Sequence, residues 1–189
     1  MSVATVQLLY ALLASAGALF LLWAGTMAVA SLVSEGVAAS VLDLRDRFER
    51  WAIPAAFTVA FLATLGSLYF SEVAMYEPCR LCWYQRVAMY PLVPILAVAT
   101  WRRDPGVRWY AIPVAGIGAI VSGYHYVLEW FPAADAGACK VGVPCTLVWF
   151  RELGFVTLPF LALTAFLLVI VLLLIPARVR AQTEDPAEG

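Results

Sequence analysis

Residues 2–34, SVATVQLLYALLASAGALFLLWAGTMAVASLVS, carry no charged side chain and decide the fold class of the chain. A helix of about 20 apolar residues crosses the bilayer core, and this run exceeds that length. Four more charge-free runs follow, at residues 52–71, 87–101, 109–124 and 155–175. The run at 87–101 spans a membrane only if residues 81–86 are added to it, and the run at 109–124 only if it continues to about Phe131. We therefore predict an all-α integral membrane protein with five spans.

The composition supports a membrane protein. Apolar residues make up 63% of the 189 residues, and the mean hydropathy is +0.87. Charged residues make up 13%, against roughly 25% in soluble globular proteins. These values exclude a soluble enzyme, and a formal net charge of −1 argues against nucleic-acid binding. The first run has no basic segment before it and exceeds the ~7–15 apolar residues of a signal peptide, so we expect a retained helix.

The basic residues predict the orientation. Eight of the twelve lie between spans one and two, between spans three and four, or after span five. Because cytoplasmic loops are enriched in Lys and Arg, we expect the N-terminus outside and the C-terminus in the cytoplasm. The other four basic residues are Arg80, Arg86, Lys140 and Arg151. All four cysteines lie in or beside the outward loops at residues 72–80 and 132–154, where oxidising conditions favour disulfide chemistry.

The first cysteine pair lies in the stretch Pro78-Cys79-Arg80-Leu81-Cys82-Trp83-Tyr84-Gln85-Arg86. Two cysteines at this spacing can close a small disulfide ring at a helix start, where free N–H groups stabilise a thiolate. A helix beginning near Cys79 places Cys82 and Arg86 on one face, and an arginine at the membrane edge usually marks function. The pattern favours a catalytic dithiol; half of a four-cysteine zinc site and a structural disulfide are the alternatives. Haem attachment needs a histidine where Trp83 stands.

The second pair, Cys139 and Cys145, encloses a short loop that contains Gly142 and Pro144. Alone, this pair is typical of a structural loop disulfide. As a second exposed disulfide near the first pair, it can pass electrons from a soluble partner toward the membrane edge by dithiol exchange.

Such a relay needs a final electron acceptor. The sequence shows no haem, flavin or iron–sulfur ligands, so an acceptor dissolved in the lipid, a quinone, fits best. His125 and Glu129 are four residues apart and share a face of span four. They lie at a depth similar to that of Arg86, and we predict that all three residues line the quinone site.

Three segments resemble the signature of the DsbB/BdbC family of membrane disulfide-generating proteins. They are Cys79–Arg86, Tyr124–Tyr126 and Gly154–Phe160. The resemblance covers about residues 52–176 and implies a DsbB-like four-helix transmembrane core, to which this chain adds one N-terminal helix. The short loop between Cys139 and Cys145 is more similar to the BdbC-type branch.

The resemblance implies a role for each cysteine. Cys82 would be the thiolate next to the quinone, which could be ubiquinone or menaquinone, and Cys79 would be its exchanging partner. Cys139 would form a mixed disulfide with a thioredoxin-fold, DsbA-like thiol oxidase outside the cytoplasm. Cys145 would then exchange with Cys79.

The resemblance also concerns three polar residues. Arg86 matches the family arginine that supports quinone binding, and His125 matches a histidine that lines the same site. Glu129 stands where family members commonly carry glutamine, so this chain has a side chain that can titrate where those members have an amide that cannot.

The predicted organisation has four parts: an extra N-terminal transmembrane helix at 1–34, an amphipathic connector on the cytoplasmic surface at 35–51, the DsbB-like core at 52–176, and a disordered cytoplasmic tail at 177–189. The predicted function is that of a thiol:quinone oxidoreductase of the bacterial plasma membrane that supports disulfide bond formation. A vitamin K epoxide reductase-like quinone reductase is an alternative. A membrane scaffold or channel subunit with two structural loop disulfides is another.

Overall fold

The computed structural model describes residues 2–135, 137, 139 and 143–175. The predicted disordered tail at 177–189 and the basic residues Lys140, Arg178 and Arg180 lie outside the described residues.

Each of the five predicted apolar runs forms a helix. The helices are α1 (Val3–Ser31), α2 (Glu35–Leu68), α3 (Arg80–Arg102), α4 (Arg108–Trp130) and α5 (Leu158–Leu174). The first four are long and apolar enough to cross a membrane, and α5 is a shorter apolar helix of 17 residues. The prediction of an all-α membrane bundle is confirmed.

The predicted connector at 35–51 is helical, but it is not a separate element. It forms the first half of α2 and continues without a break into the second span. It contains an exposed ion pair four residues apart, with Arg47 Nε 3.0 Å from Asp43 Oδ2. The position of this segment on the cytoplasmic surface stays a prediction.

Small side chains allow the helices of the bundle to approach closely. Alanines from α2, α3, α4 and α5 lie in the main buried cluster beside larger residues such as Leu92 and Phe166. Close approach suits membrane helices, because packing rather than the hydrophobic effect drives their association. At Gly118 in α4, an added Cβ atom would overlap the ring of Phe166 in α5. A hydrogen at this position is therefore needed for the contact between these two helices.

The connections at one end of the bundle bring the cysteines together. A single π-helical turn, Tyr69–Val73, follows α2, and an irregular segment then leads to Cys79 at the start of α3. The long connection after α4 returns through a bridge between Glu152 and Val156. Gly154, with a φ of +80°, turns the chain within that bridge before α5 begins. Both cysteine pairs therefore lie at the same end of the fold.

Candidate active site

Cys79 is the N-cap residue of α3. Its sulfur accepts a hydrogen bond from the backbone N–H of Cys82 at 3.4 Å. Both residues are free thiols with their sulfurs 3.1 Å apart; Cys79 is buried and Cys82 is half-buried. The helix start thus holds the dithiol in the position that the spacing of the two cysteines predicts.

The hydrogen bond between the two sulfurs favours the thiolate on Cys79. It lowers the pKa of Cys79, burial opposes this effect, and the neighbouring His125 lowers the pKa further. A thiolate at a helix N-terminus also gains from the free N–H groups there. The family resemblance assigns the thiolate next to the quinone to Cys82, and this role stays a prediction.

Cys139 and Cys145 form a disulfide. The expectation that this pair is exposed is wrong: Cys139 is 8% exposed and Cys145 is 1% exposed. Both pack in one cluster with Cys79, Leu81 and Leu128. Because the connection after α4 folds back over the start of α3, the disulfide becomes part of a small core.

His125 on α4 links the two cysteine pairs. Its Nε2 lies 3.0 Å from the carbonyl oxygen of Cys145 and 3.7 Å from the sulfur of Cys79. Its Nδ1 lies 3.0 Å from Nε2 of Gln85 on α3. A neutral ring that donates from Nε2 to the carbonyl and accepts at Nδ1 from the amide satisfies both hydrogen bonds. His125 therefore ties the loop disulfide to the helix that carries the free thiols.

A cavity of about 260 Å³ lies beside Cys82, which lines it. Residues of α1, α2, α3 and α5 line it. Cys82, Gln85 and Arg86 contribute polar atoms, and leucines, alanines and aromatic side chains form most of the remaining wall. The cavity is therefore amphiphilic, with a thiol and a guanidinium at its polar end.

Arg86 is held in place by the last part of α2. Its Nε donates to the hydroxyl of Ser67 and its Nη2 to the Ser67 carbonyl, both at 3.1 Å. The hydroxyl of Tyr90 also donates to Ser67 Oγ, at 3.2 Å. The guanidinium carbon lies 5.4 Å from the ring centroid of Trp83, within cation–π range. These contacts fix a permanent cation beside Cys82.

Not all the predicted site residues meet in this cavity. Arg86 lines the cavity, whereas His125 and Glu129 do not. Glu129 is buried on α4, and its Oε2 has no hydrogen-bond partner among the described residues. The expectation that the three ionisable groups share one pocket is therefore not met, because the face of α4 that carries His125 turns toward the cysteine loop.

Sequence reasoning missed two contributors to the site. Gln85 orients His125, and its position three residues after Cys82 was a usable signal. The contribution of α1 to the cavity had no such signal, because α1 is apolar around its whole circumference.

One group of side chains in the described part of the chain has metal-ligating geometry. The donor atoms of Cys79, Cys82 and His125 lie within 4.8 Å of one another, a set that suits a soft divalent ion. The four-cysteine zinc alternative does not fit this arrangement, because Cys139 and Cys145 are joined in a disulfide and offer no thiolate.

The family can be assigned from sequence comparison. The profile described as "Disulfide bond formation protein DsbB" matches residues 49–176, more than half of the chain. The chain belongs to the DsbB family. As a DsbB-family protein it is a multi-pass membrane oxidoreductase of disulfide bond formation. This assignment rejects the scaffold alternative.

Individual relatives of this DsbB-family chain are disulfide formation proteins. It is 46% identical over 128 residues to "Probable disulfide formation protein C 1" of Bacillus anthracis, covering 67% of this chain and 92% of the relative. It is 49% identical over 118 residues to "Disulfide bond formation protein C" of Bacillus subtilis, covering 62% and 86%. No solved structure matches the chain.

Proposed function

We propose that this DsbB-family protein re-oxidises a DsbA-like, thioredoxin-fold thiol oxidase outside the cytoplasm and passes the electrons to membrane quinone. One observation carries the proposal. The free Cys79–Cys82 dithiol lies between a loop disulfide, to which His125 links it, and an amphiphilic cavity that Cys82 and Arg86 line. The dithiol can therefore exchange with the loop on one side and donate electrons on the other.

The residues of the cavity suit a quinone. Its volume of about 260 Å³ is near the lower end of ligand sites, roughly 300 Å³. The guanidinium of Arg86 can bind a quinone oxygen and stabilise the negative charge that develops on it. The apolar wall suits an isoprenoid tail. Bound quinone supplies a sink for two electrons and two protons.

The relay consists of balanced thiol–disulfide exchanges. A partner thiolate attacks Cys139, Cys145 leaves as a thiolate, and the second partner thiol then releases the partner as a disulfide. Two electrons now reside on the loop cysteines. Cys145 attacks Cys79 of an oxidised Cys79–Cys82 disulfide, and Cys82 leaves as a thiolate. Attack of Cys139 on Cys145 restores the loop disulfide and leaves the dithiol at α3, the bonding pattern that this structure contains.

His125 acts in this proposal as a positioning residue. It holds the carbonyl of Cys145 near the sulfur of Cys79 and is itself oriented by Gln85. Its contacts therefore support a role in exchange between the two pairs rather than a direct contact with quinone.

The proposed orientation places the cysteine end outside the cytoplasm. Arg47 and Arg50 of α2 line one groove together with Arg103, which follows α3. These three cations therefore lie at the same end of the bundle. The positive-inside rule assigns that end to the cytoplasm.

Introduced cysteines test this orientation. Ala133 follows the C-terminal end of α4, and Arg102 is the last residue of α3, so the two lie at opposite ends of the bundle. Both are exposed, whereas most of the native cysteines are buried. We expect a membrane-impermeant maleimide to label Ala133→Cys in intact cells and Arg102→Cys only after permeabilisation, with the unsubstituted protein as the background. The opposite pattern would reverse the orientation and contradict an extracytoplasmic partner.

Replacing Cys145 by serine is expected to trap the partner. In this variant the free Cys139 thiolate attacks the disulfide of the oxidised partner, and one partner cysteine leaves as a thiolate. Cys145, the thiol that would resolve the mixed disulfide, is absent. Non-reducing electrophoresis with a thioredoxin-fold oxidase should show a mixed disulfide for Cys145→Ser and none for Cys139→Ser. Equal trapping by both variants would contradict the roles assigned to the two cysteines.

Glu129 is proposed to exchange protons during the relay. It is buried, and its Oε2 has no hydrogen-bond partner within the part of the chain that the structure describes. Glu129→Gln keeps the shape of the side chain but cannot titrate. We expect the variant to lose one ionisation from the pH–rate profile of quinone reduction. Superimposable profiles for the two proteins would make Glu129 a purely structural residue.

A further inference from the structure

The cavity beside Cys82 has a wall that lies outside the matched DsbB region. Tyr10, Leu13 and Ala14 of α1 line it together with residues of α2, α3 and α5. The family match begins at residue 49, after α1 has ended. Because 128 aligned residues already cover 92% of the Bacillus anthracis relative, that relative has no room for a further helix of 29 residues. This wall is therefore an addition to the core that the two proteins share.

The helix α1 is docked on the core through specific contacts. The Tyr10 ring lies over Gly66 of α2, where a Cβ atom would come within 2.5 Å of it. The Tyr10 hydroxyl donates to the carbonyl of Leu62 at 3.1 Å. Farther along α1, Gly17 lies against Leu168 of α5, whose side chain would be 2.8 Å from an added Cβ. Tight contacts with both neighbours distinguish α1 from a loose membrane anchor.

A hydrogen bond also holds α1 at the end where the cysteines lie. Nε2 of Gln7 donates to the hydroxyl of Tyr76 at 2.6 Å, and the Tyr76 ring stacks on Trp149 with centroids 4.8 Å apart. Tyr76 and Trp149 both line the cavity. The position of α1 is therefore coupled to residues near the polar end of the cavity.

We propose that α1 forms the lipid-side wall of the quinone cavity and that Tyr10 and Leu13 determine how tightly a quinone is held there. The inference rests on the proposed function, since it takes quinone as the ligand. Tyr10 and Leu13 line the cavity together with residues of α2 and α5, whereas Leu12, the neighbouring leucine, does not line it. Leu12 and Leu13 are about equally exposed, at 52% and 49%, so they differ in this one respect. Removing the covering side chains opens the cavity to lipid.

Equilibrium binding of ubiquinone-1 and menaquinone-1 to the detergent-purified full chain, with no partner protein present, measures this role without any turnover. The variants are Tyr10→Ala and Leu13→Ala. Loss of an apolar wall should raise the Kd by about tenfold. Leu12→Ala is the matched control for Leu13→Ala. Leu12→Ala should therefore bind quinone as the unsubstituted chain does, whereas Tyr10→Phe, which keeps the ring and loses the hydroxyl, should bind quinone more tightly than Tyr10→Ala.

Each outcome bears on a separate claim. A tenfold weaker affinity in Tyr10→Ala and Leu13→Ala, but not in Leu12→Ala, supports the wall. Unchanged affinity in both variants overturns it and leaves the proposed function intact. If Tyr10→Ala does not fold, Leu13→Ala decides alone, because that half-exposed side chain contributes little to the core. If the unsubstituted chain binds neither quinone, the proposed function fails, and this inference fails with it.

Discussion

Replacing Cys82 with serine is expected to lower steady-state quinone reduction by about a thousandfold or more, because no other cysteine lines the cavity beside Arg86 in the described part of the structure. The loop disulfide is untouched by this change. The variant should therefore still oxidise one equivalent of partner dithiol and then stop, with the electrons held on Cys139 and Cys145.

The stoichiometry of partner oxidation separates this outcome from a loss of folding. Partner disulfide is measured after acid quenching, and quinol formation is followed by absorbance in the same sample. Cys139→Ser is the matched control, because it cannot take up the first equivalent. Continued turnover by Cys82→Ser would show that electrons leave by a route that avoids the dithiol at α3.

Replacing Arg86 with methionine is expected to lower kcat/KM for quinone by roughly a hundredfold, the scale of losing a donor that stabilises developing negative charge. Methionine retains much of the length of the side chain but loses the charge and both hydrogen bonds to Ser67. Arg86→Lys should have a smaller effect, since the charge remains while the planar fork is lost.

The control for Arg86 is Arg102→Met, which removes an exposed arginine from the opposite end of the same helix. Partner trapping in the Cys145→Ser background should be unaffected by Arg86→Met, because the contacts of Arg86 in the described residues are to Ser67 and Trp83, away from the cysteine loop. A normal kcat/KM for quinone in Arg86→Met, or an equal loss in Arg102→Met, would remove Arg86 from the quinone site.

The helices were predictable from sequence because a charge-free run of membrane length has few other stable conformations. The order of the spans was enough to predict that both cysteine pairs lie at one end of the bundle. It was harder to predict which faces of the helices contact each other. His125 and Glu129 were expected beside Arg86 because all three lie at a similar depth, but depth does not say toward which neighbour a helix face turns.

Burial of the loop disulfide and the role of α1 show the same limit. The disulfide between Cys139 and Cys145 was expected to be exposed because it lies in the outward loop at 132–154, but both cysteines pack against Leu81 of α3 and Leu128 of α4. In α1, leucines are distributed around the helix, so no stripe indicates which side chains face protein. The small residues Gly17 and Gly66 become informative only when their partners are known.

The central claim is that the two cysteine pairs transfer electrons from a protein dithiol to quinone. Its most direct test is quinol formation by the purified full chain in detergent, with a reduced thioredoxin-fold oxidase as the donor and ubiquinone-1 or menaquinone-1 as the acceptor. The account predicts catalytic turnover in which one quinol forms for each partner disulfide. Partner oxidation without quinol, or no oxidation beyond the background without the chain, would contradict it.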